Sequence, residues 1–325
     1  MTDKYKLSGW EYSMDSILPM RFSVYPNPNE DCPNELMKYY KINKYSIESL
    51  TNGYFYASHP FQLNDPFECF RNLLDFENVS FETYKKYYCS MDQNPEERVR
   101  RLFDTEYEKL KLQFMSDLHD DVFSKMGIIS LTSNPCDMLM WAHYSNHDGF
   151  LAIFDVEKLV KKFHGPFPIN YKEKADKFDI NISPHLAIFY MTNIKSKSWS
   201  YEKEWRLIAE TDSNLFLPHQ PNIENRIERQ FPYSKGTLKE IVLGFNFNKL
   251  SINKVTKKDG FVILDFKGLE DADFRVTLLD FIIQNNITVS SIHLFENLEF
   301  KLIKKELELK YFDKYEYGFK IKHVA

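Results

Sequence analysis

The sequence predicts an α+β protein, with a mixed and mostly antiparallel sheet or sheets and helices packed around a central cleft. Short segments with period-two alternation of apolar and polar residues are interspersed with segments in which apolar residues recur every three to four positions. The 325-residue chain is 43% hydrophobic and 16% aromatic, so we expect a sizeable core. The strand-like segments predict a sheet of about six to nine strands.

Three regions are predicted along the chain. Residues 1–35 are polar and rich in turn formers, and we expect an irregular N-terminal segment there. Residues 36–245 are predicted to form the main α+β domain, which carries the functional site. Residues 246–325 are predicted to form an α+β extension packed on that domain.

The main domain is predicted to open with a strand at 36–42, a short helix at 46–53 and a second strand at 54–58. Helices are then expected at 80–91 and 94–126. The second of these is predicted as one amphipathic helix, with Asn94 as its cap and Gly127 at its end. The later predicted strands are 127–132, 150–155, 169–173, 204–210, 239–245, 261–266, 288–295 and 317–323, and the later predicted helices are 133–145, 156–163, 184–191 and 273–286.

Composition disfavours several classes of function. The net charge of −5 gives no general attraction to nucleic acid or to anionic membranes. No segment approaches the roughly 18 apolar residues that a membrane helix needs, and the N-terminus lacks the pattern of a signal peptide. We therefore expect a cytoplasmic protein without membrane contacts. The four cysteines form no C-x-x-C pair, so neither disulfides nor a metal site are predicted.

The segment NDPFECF, residues 64–70, predicts a rigid corner. Asn64 and Asp65 before Pro66 are typical of an Asx turn, which the proline stiffens. We expect Phe67 and Phe70 to fill the core, while Asn64 and Asp65 face the cleft. A turn without a binding role is the alternative.

The segment SYEKEWR, residues 200–206, concentrates charge. In an extended chain Glu202, Glu204 and Arg206 project to one face, so Arg206 would keep a carboxylate ionised on a pocket floor. An exposed strand face with a paired Glu and Arg is the alternative. Because a slip of one residue exchanges the two faces, the pattern leaves open whether Glu202 or Glu204 points into the cleft.

Two histidines lie four residues apart in MWAHYSNHDG, residues 140–149. On a continuous helix His143 and His147 would have metal-ligand spacing, but Asn146 indicates a helix end and no third ligand is nearby. The alternatives to metal binding are substrate contact by one of the histidines, or one structural histidine and one exposed histidine.

The order of these segments, with YFYAS before them and IVLG after them, resembles a widespread bacterial family known as a domain of unknown function, numbered 2971. The resemblance runs from Met37 to Phe245, and NDPF, MWAHYSNHDGF and WSYEKEWR carry most of it. Members of that family are associated with mobile elements and phage defence. The resemblance implies a toxin or phage-defence effector, with a defence-system or antitoxin partner.

The element order is also similar to the ADP-ribosyltransferase-like fold. This likeness implies NAD as a substrate in a cleft between two small sheets, with an aromatic ring on nicotinamide and a late glutamate on the adjoining ribose. Catalytic roles are implied for Glu204 as the ribose-binding carboxylate, Glu202 as a helper that activates the acceptor, and His143 near the acceptor. The residues implied to bind NAD are Tyr40, Tyr54, Tyr56, Ser58, Asn64, Asp65, Trp141, Tyr144, His147 and Arg206. A fixed carboxylate suits this chemistry, because loss of nicotinamide leaves an oxocarbenium-like sugar.

The sequence thus favours an NAD-dependent ADP-ribosyltransferase or NAD glycohydrolase, with a nucleic-acid or protein acceptor and no metal. One alternative is a metal-independent nuclease that uses His143 or His147 as acid or base. A second alternative is a sensor without catalytic activity, in which an aromatic pocket binds a small ligand or a phage protein.

Overall fold

The computed structural model describes residues 2–7, 9–15, 21–25, 32–89, 95–125, 127–209, 229–248, 255–295, 299 and 301–322. Its strands are β1 (Thr2–Leu7), β2 (Trp10–Asp15), β3 (Arg21–Tyr25), β4 (Glu35–Tyr40), β5 (Tyr54–Tyr56), β6 (Leu74–Asp75), β7 (Gly127–Thr132), β8 (Phe150–Asp155), β9 (His164–Pro168), β10 (Asn170–Lys172), β11 (Phe178–Asp179), β12 (Ile194–Ser196), β13 (Glu204–Ala209), β14 (Gln230–Pro232), β15 (Leu238–Leu243), β16 (Val255–Lys258), β17 (Phe261–Asp265), β18 (Thr288–Leu294), β19 (Leu302–Asp313) and β20 (Glu316–Ile321). Its helices are α1 (Lys44–Thr51), α2 (Phe81–Cys89), α3 (Glu96–Thr105), α4 (Tyr107–Lys125), α5 (Met138–Ser145), α6 (Val156–Leu159), α7 (Pro184–Asn193) and α8 (Ala272–Gln284), with short 3₁₀ helices at Pro60–Gln62, Arg71–Leu73 and Lys197–Glu202.

One large mixed sheet organises these elements and confirms the predicted α+β class. Its eleven strands run in the order β16-β17-β20-β19-β18-β15-β8-β4-β7-β13-β9. Nearly all neighbours are antiparallel, and β15 and β18 are the parallel exception. The sheet is larger than the predicted six to nine strands because the strands of the C-terminal region continue it rather than forming a separate layer.

Three hydrophobic cores cover this sheet. The first core lies on one face, under α1 and α8. On the other face, α5 covers β4, β8 and β15, while α2, α3, α4 and α7 form a separate core over β7, β13 and β9. A gap between these two cores therefore coincides with the boundary between β4 and β7.

In the middle of the sheet, the boundary between β4 and β7 has the fewest paired residues. Strand β4 pairs with β8 through six residues, whereas its pairing with β7 is a single position, Met37 opposite Thr132. Beyond this position the two strands diverge, and the Lys38 ammonium bridges them by donating to the carbonyl oxygen of Ser130 at 3.1 Å. The sheet consequently opens at its centre.

Some sequence predictions differ from the structure. Residues 1–35 were expected to be irregular, but β1, β2 and β3 form an antiparallel three-stranded sheet there. The single helix expected at 94–126 is two helices, because Glu106, with φ −137° and ψ 42°, leaves the helical region between α3 and α4. The predicted cap Asn94 lies outside the described residues. The domain boundaries stay a prediction.

Among the described helices, none combines the length and the apolar character needed to cross a membrane.

Candidate functional site

A cavity of about 190 Å³ occupies the opening between β4 and β7. The strands contribute its floor, the segment from 58 to 68 and helix α5 contribute its walls, and the exposed Gln62 and Asn64 lie at its rim. Its lining consists of Met37, Lys38, Tyr39, Ser58, Gln62, Leu63, Asn64, Glu68, Ser130, Leu131, Thr132, Met140, Tyr144, Lys195, Glu202, Glu204 and Arg206.

A buried ion pair on β13 forms the centre of the polar wall. The Arg206 guanidinium donates from Nε to Glu204 Oε1 at 2.8 Å and from Nη2 to Glu204 Oε2 at 3.1 Å. Its Nη1 donates to the carbonyl oxygen of Thr192 at 2.6 Å. Two parallel hydrogen bonds fix both groups, which is the strong, bidentate form of this interaction.

Lys195 on β12 joins a second carboxylate to this pair. Its ammonium donates to Glu202 Oε2 at 2.6 Å and to Glu204 Oε2 at 3.0 Å. The other oxygen of Glu202 accepts a hydrogen bond from the Tyr144 hydroxyl at 2.5 Å, and that hydroxyl accepts one from the Asn64 amide at 2.5 Å. The chain of contacts runs from the buried arginine to the rim of the cavity.

A third carboxylate, Glu68, approaches from the segment opposite β13. One of its oxygens, Oε1, accepts a hydrogen bond from Arg206 Nη2 and lies 3.6 Å from the Lys195 ammonium. The other oxygen, Oε2, is buried and has no hydrogen-bond partner. The cavity wall thus holds three acids around two cations, with one acceptor atom unused.

In this cluster the pKa of Glu204 is lowered and the pKa of Glu68 is raised. Burial by itself would raise the pKa of Glu204, but Arg206 and Lys195 outweigh it and lower the pKa to about 2. Burial raises the pKa of Glu68, and Arg206 and Lys195 offset that effect only in part. Glu204 is therefore ionised at neutral pH, whereas the pKa of Glu68 lies above its ordinary value.

Lys38 brings another cation to the cavity from β4. Burial lowers the pKa of its ammonium to about 8, and the attraction of Glu204 offsets this only in part. The Lys38 ammonium donates a hydrogen bond to the Ser130 carbonyl oxygen.

Local turns place Glu202 beside Glu204. The segment SYEKEWR, predicted to be one extended strand, folds instead as the end of a 3₁₀ helix, a left-handed Lys203 with φ 43°, and then β13. The turn moves Glu202 off the strand while keeping both carboxylates on the cavity wall. The structure therefore resolves the predicted ambiguity, because both acids are buried there.

The NDPFECF corner contains the predicted Asx turn. Asp65 Oδ1 accepts a hydrogen bond from the backbone N–H of Phe67 at 2.9 Å, and Asp65 Oδ2 accepts one from Ser196 N–H at 3.4 Å. The prediction for the phenylalanines is wrong, because Phe67 is 66% exposed and Phe70 is 42% exposed. Glu68, the second acid of this segment, points inward in their place.

Six of the predicted site residues line the cavity together: Ser58, Asn64, Tyr144, Glu202, Glu204 and Arg206. Seven do not line it: Tyr40, Tyr54, Tyr56, Asp65, Trp141, His143 and His147. Tyr40 stacks on Phe150 in the core, Trp141 is fully buried against Tyr39, and Asp65 supports the turn.

The two histidines separate at the end of α5. Asn146 adopts a left-handed conformation that ends the helix, and His147, with φ 61°, continues the turn. His143 stays on the helix, exposed, with its ring 6.5 Å from that of Tyr201. The two imidazoles therefore do not have the helical spacing that would let both bind one metal ion. Among the described residues, no group of three His, Cys, Asp or Glu side chains is arranged to hold a metal ion.

Sequence reasoning missed Glu68, Lys195 and Lys38. Glu68 carried a signal, because an acid between two phenylalanines in a rigid corner is a candidate for an inward-facing polar group. Lys195 and Lys38 carried none, since a lysine in a short strand is usually on the surface.

Residues 140–207 match the model of a family described as Protein of unknown function (DUF2971). The matched segment includes Tyr144, Lys195, Glu202, Glu204 and Arg206, and it leaves out Lys38 and Glu68. No curated protein and no solved structure matches the chain.

Proposed function

We propose that this chain is an NAD-consuming enzyme, an ADP-ribosyltransferase or NAD glycohydrolase, that binds the nicotinamide end of NAD in the cavity between β4 and β7. On this proposal it breaks the bond between nicotinamide and ribose and passes the ADP-ribose to a macromolecule or to water. Such an activity would suit a toxin or phage-defence effector that acts in the bacterial cytoplasm and is restrained by an antitoxin partner.

The observation that carries the proposal is the ionised Glu204 on the cavity wall. When nicotinamide leaves, it takes the electron pair of the bond, and the ribose carbon develops positive charge. A carboxylate that Arg206 and Lys195 hold fixed and ionised stabilises that charge without having to reorganise. Glu202, next to it, is placed to accept the proton of an incoming acceptor hydroxyl.

The size and shape of the cavity agree with a part of NAD rather than with the whole molecule. Pockets for drug-sized ligands occupy about 300 to 1,000 Å³, and this cavity measures about 190 Å³. A nicotinamide ring or its ribose fits such a space, and the rest of the dinucleotide would leave past Gln62 and Asn64. Tyr39 and Tyr144 provide the aromatic walls.

The test measures release of nicotinamide and transfer of label from NAD labelled in its ADP-ribose part. Glu204→Gln is expected to lower the rate at least about 100-fold, the usual effect of losing a preorganised electrostatic group. Glu157→Gln is the matched control, because Glu157 is 82% exposed and pairs with the exposed Lys161. Absence of nicotinamide release by the wild-type protein would overturn the proposal.

A second variant guards against loss of folding in Glu204→Gln. Asn64 lies at the exposed rim, where Asn64→Ala is expected to leave the fold intact, as a circular dichroism spectrum would check. Its loss of one hydrogen bond to Tyr144 is expected to raise KM for NAD about 3- to 10-fold.

The alternative functions give different results in parallel assays. Metal-independent RNA cleavage that is lost in His143→Ala would favour the nuclease, although neither histidine lines the cavity. Ligand binding without turnover of NAD or RNA would favour the sensor.

A further inference from the structure

Glu68 is the one acid of the cavity wall whose second oxygen is unused. Its side chain is fully buried, it lines the cavity, and Oε2 has no hydrogen-bond partner. A buried polar atom without a partner is costly, and most such atoms in folded proteins are paired. An unpaired oxygen at a cavity wall therefore points to a partner that the ligand supplies.

The charge balance of the cluster does not need Glu68. Arg206 and Lys195 are already balanced by Glu204 and Glu202, and the three nitrogens of Arg206 have acceptors in Glu204 and the Thr192 carbonyl. The remaining cation, Lys38, donates to the Ser130 carbonyl oxygen. Glu68 therefore pairs through Oε1 with two cations, Arg206 and Lys195, that other carboxylates already engage.

The groups that face Glu68 act on its pKa in opposite directions. Arg206 and Glu204 approach it from β13, Lys195 approaches from β12, and Cys69 is its neighbour in the chain. Burial and the charge of Glu204 raise the pKa of Glu68, against the two cations. In the neutral form the carboxyl group carries a proton, and the atom without a partner becomes a donor.

We propose that Glu68 is a substrate-contacting residue, whose protonated Oε2 donates a hydrogen bond to a carbonyl oxygen of the bound ligand. This assignment rests on the proposed function, where that oxygen belongs to the carboxamide of nicotinamide. Ionised Glu68 would instead place a negative oxygen against the carbonyl oxygen and repel it. The affinity for nicotinamide is thus expected to fall as pH rises and Glu68 loses its proton.

Substitutions of Glu68 separate donation from charge. Glu68→Gln keeps a donor of similar shape that does not titrate. This variant is therefore expected to bind nicotinamide at every pH as tightly as the wild type does when Glu68 is protonated. Glu68→Ala removes the donor and is expected to weaken binding about 3- to 10-fold, the range of one typical hydrogen bond. Pyridine, which has the ring without the carboxamide, is the control ligand. Its affinity is expected to be the same for the wild type, Glu68→Gln and Glu68→Ala.

The experiment measures nicotinamide and pyridine affinity by calorimetry for the three proteins, from about pH 5 to about pH 9, to span the range in which a raised carboxyl pKa titrates. A fall in wild-type affinity with pH, absent in Glu68→Gln, supports the assignment. Wild-type affinity that rises with pH, or Glu68→Gln binding as weakly as Glu68→Ala, overturns it.

Infrared spectroscopy decides the protonation state independently of NAD chemistry. At neutral pH the wild-type protein is expected to show the carbonyl stretch of a neutral carboxylic acid, and Glu68→Gln is expected to lack it. Absence of this band in the wild type overturns the assignment. Nicotinamide binding that depends on Glu68 without NAD cleavage overturns only the proposed function, whereas NAD cleavage with affinity unaffected by Glu68→Ala overturns only this inference.

Discussion

Two of the buried arginines, Arg206 and Arg275, show how differently the same side chain is used in this fold. Arg206 lies on the cavity wall between Glu204 and Glu68, both of which are almost fully buried. Arg275, on α8, makes two hydrogen bonds to Asp271, at 2.8 and 2.7 Å, and one to the Phe247 carbonyl oxygen at 3.2 Å. Its guanidinium also lies 4.8 Å from the centre of the Phe247 ring.

The difference lies in the acids and in the space around them. Asp271 and Asp148, the acids near Arg275, keep 28% and 24% of their side chains in solvent. Glu204 and Glu68 have no such access, and a cavity adjoins them with an unpaired oxygen on its wall. Burial of an arginine is therefore a structural feature of both regions, whereas an unpaired acceptor oxygen beside a cavity distinguishes the first.

The largest expected effect is on stability. Arg206→Met leaves the Glu204 carboxylate buried without its bidentate partner and is expected to lower the free energy of unfolding by about 3 to 5 kcal/mol. Arg275→Met removes the same volume, but Asp271 and Asp148 reach solvent, so a loss of about 1 to 2 kcal/mol is expected. Urea unfolding at neutral pH measures both values. Equal losses would show that the two regions are energetically alike.

A smaller effect is expected from Lys38. Its folded pKa of about 8 is below the ordinary value of 10.5. Between these values the unfolded chain holds more protons than the folded one, so stability rises with pH across this window. Lys38→Met removes that rise and is expected to stabilise the protein at neutral pH by about 1 to 3 kcal/mol. Unfolding free energies of both proteins, measured from neutral pH to about pH 10, provide the check; parallel curves would contradict the prediction.

The smallest effect is expected at Tyr144. Tyr144→Phe removes the hydroxyl that links Asn64 to Glu202 and keeps the ring on the cavity wall. We expect a rise of about 3- to 10-fold in KM for NAD and a loss of about 1 kcal/mol in stability. Tyr311→Phe, at a position that is 51% exposed and remote from the cavity lining, is the control. Equal changes in KM and in stability for the two variants would show that the hydrogen bonds from Asn64 through Tyr144 to Glu202 do not contribute to NAD binding.

Much of the secondary structure could be predicted because its signals are local. Asp137 accepts hydrogen bonds from the N–H groups of Leu139 and Met140 and begins α5, and Ser183 begins α7 in the same way. Strand β19, which no predicted strand anticipated, carried a local signal that was missed, because charged and apolar residues alternate from Glu306 to Tyr311. It pairs with its neighbours β18 and β20. The break at Glu106 was missed because the apolar spacing continues across it.

The site was predicted in part, for a physical reason that its residues illustrate. Glu202, Glu204 and Arg206 lie within five positions of one another, so the sequence alone brought them into one hypothesis. His143 and His147 formed an equally visible pair, yet one left-handed residue between them separates their side chains.

The sequence by itself determined the fold class and the concentration of charge around Glu204, because each depends on residues a few positions apart. The start of α5 was predicted at 133, whereas Asp137 caps the helix and it begins at Met138. Only the tertiary structure decided that Glu68, which is 138 positions from Arg206, shares its guanidinium, and that β4 and β7 diverge to leave a cavity beside them. Contacts between residues so far apart in the sequence depend on how the whole chain packs. Local residue patterns do not predict that packing.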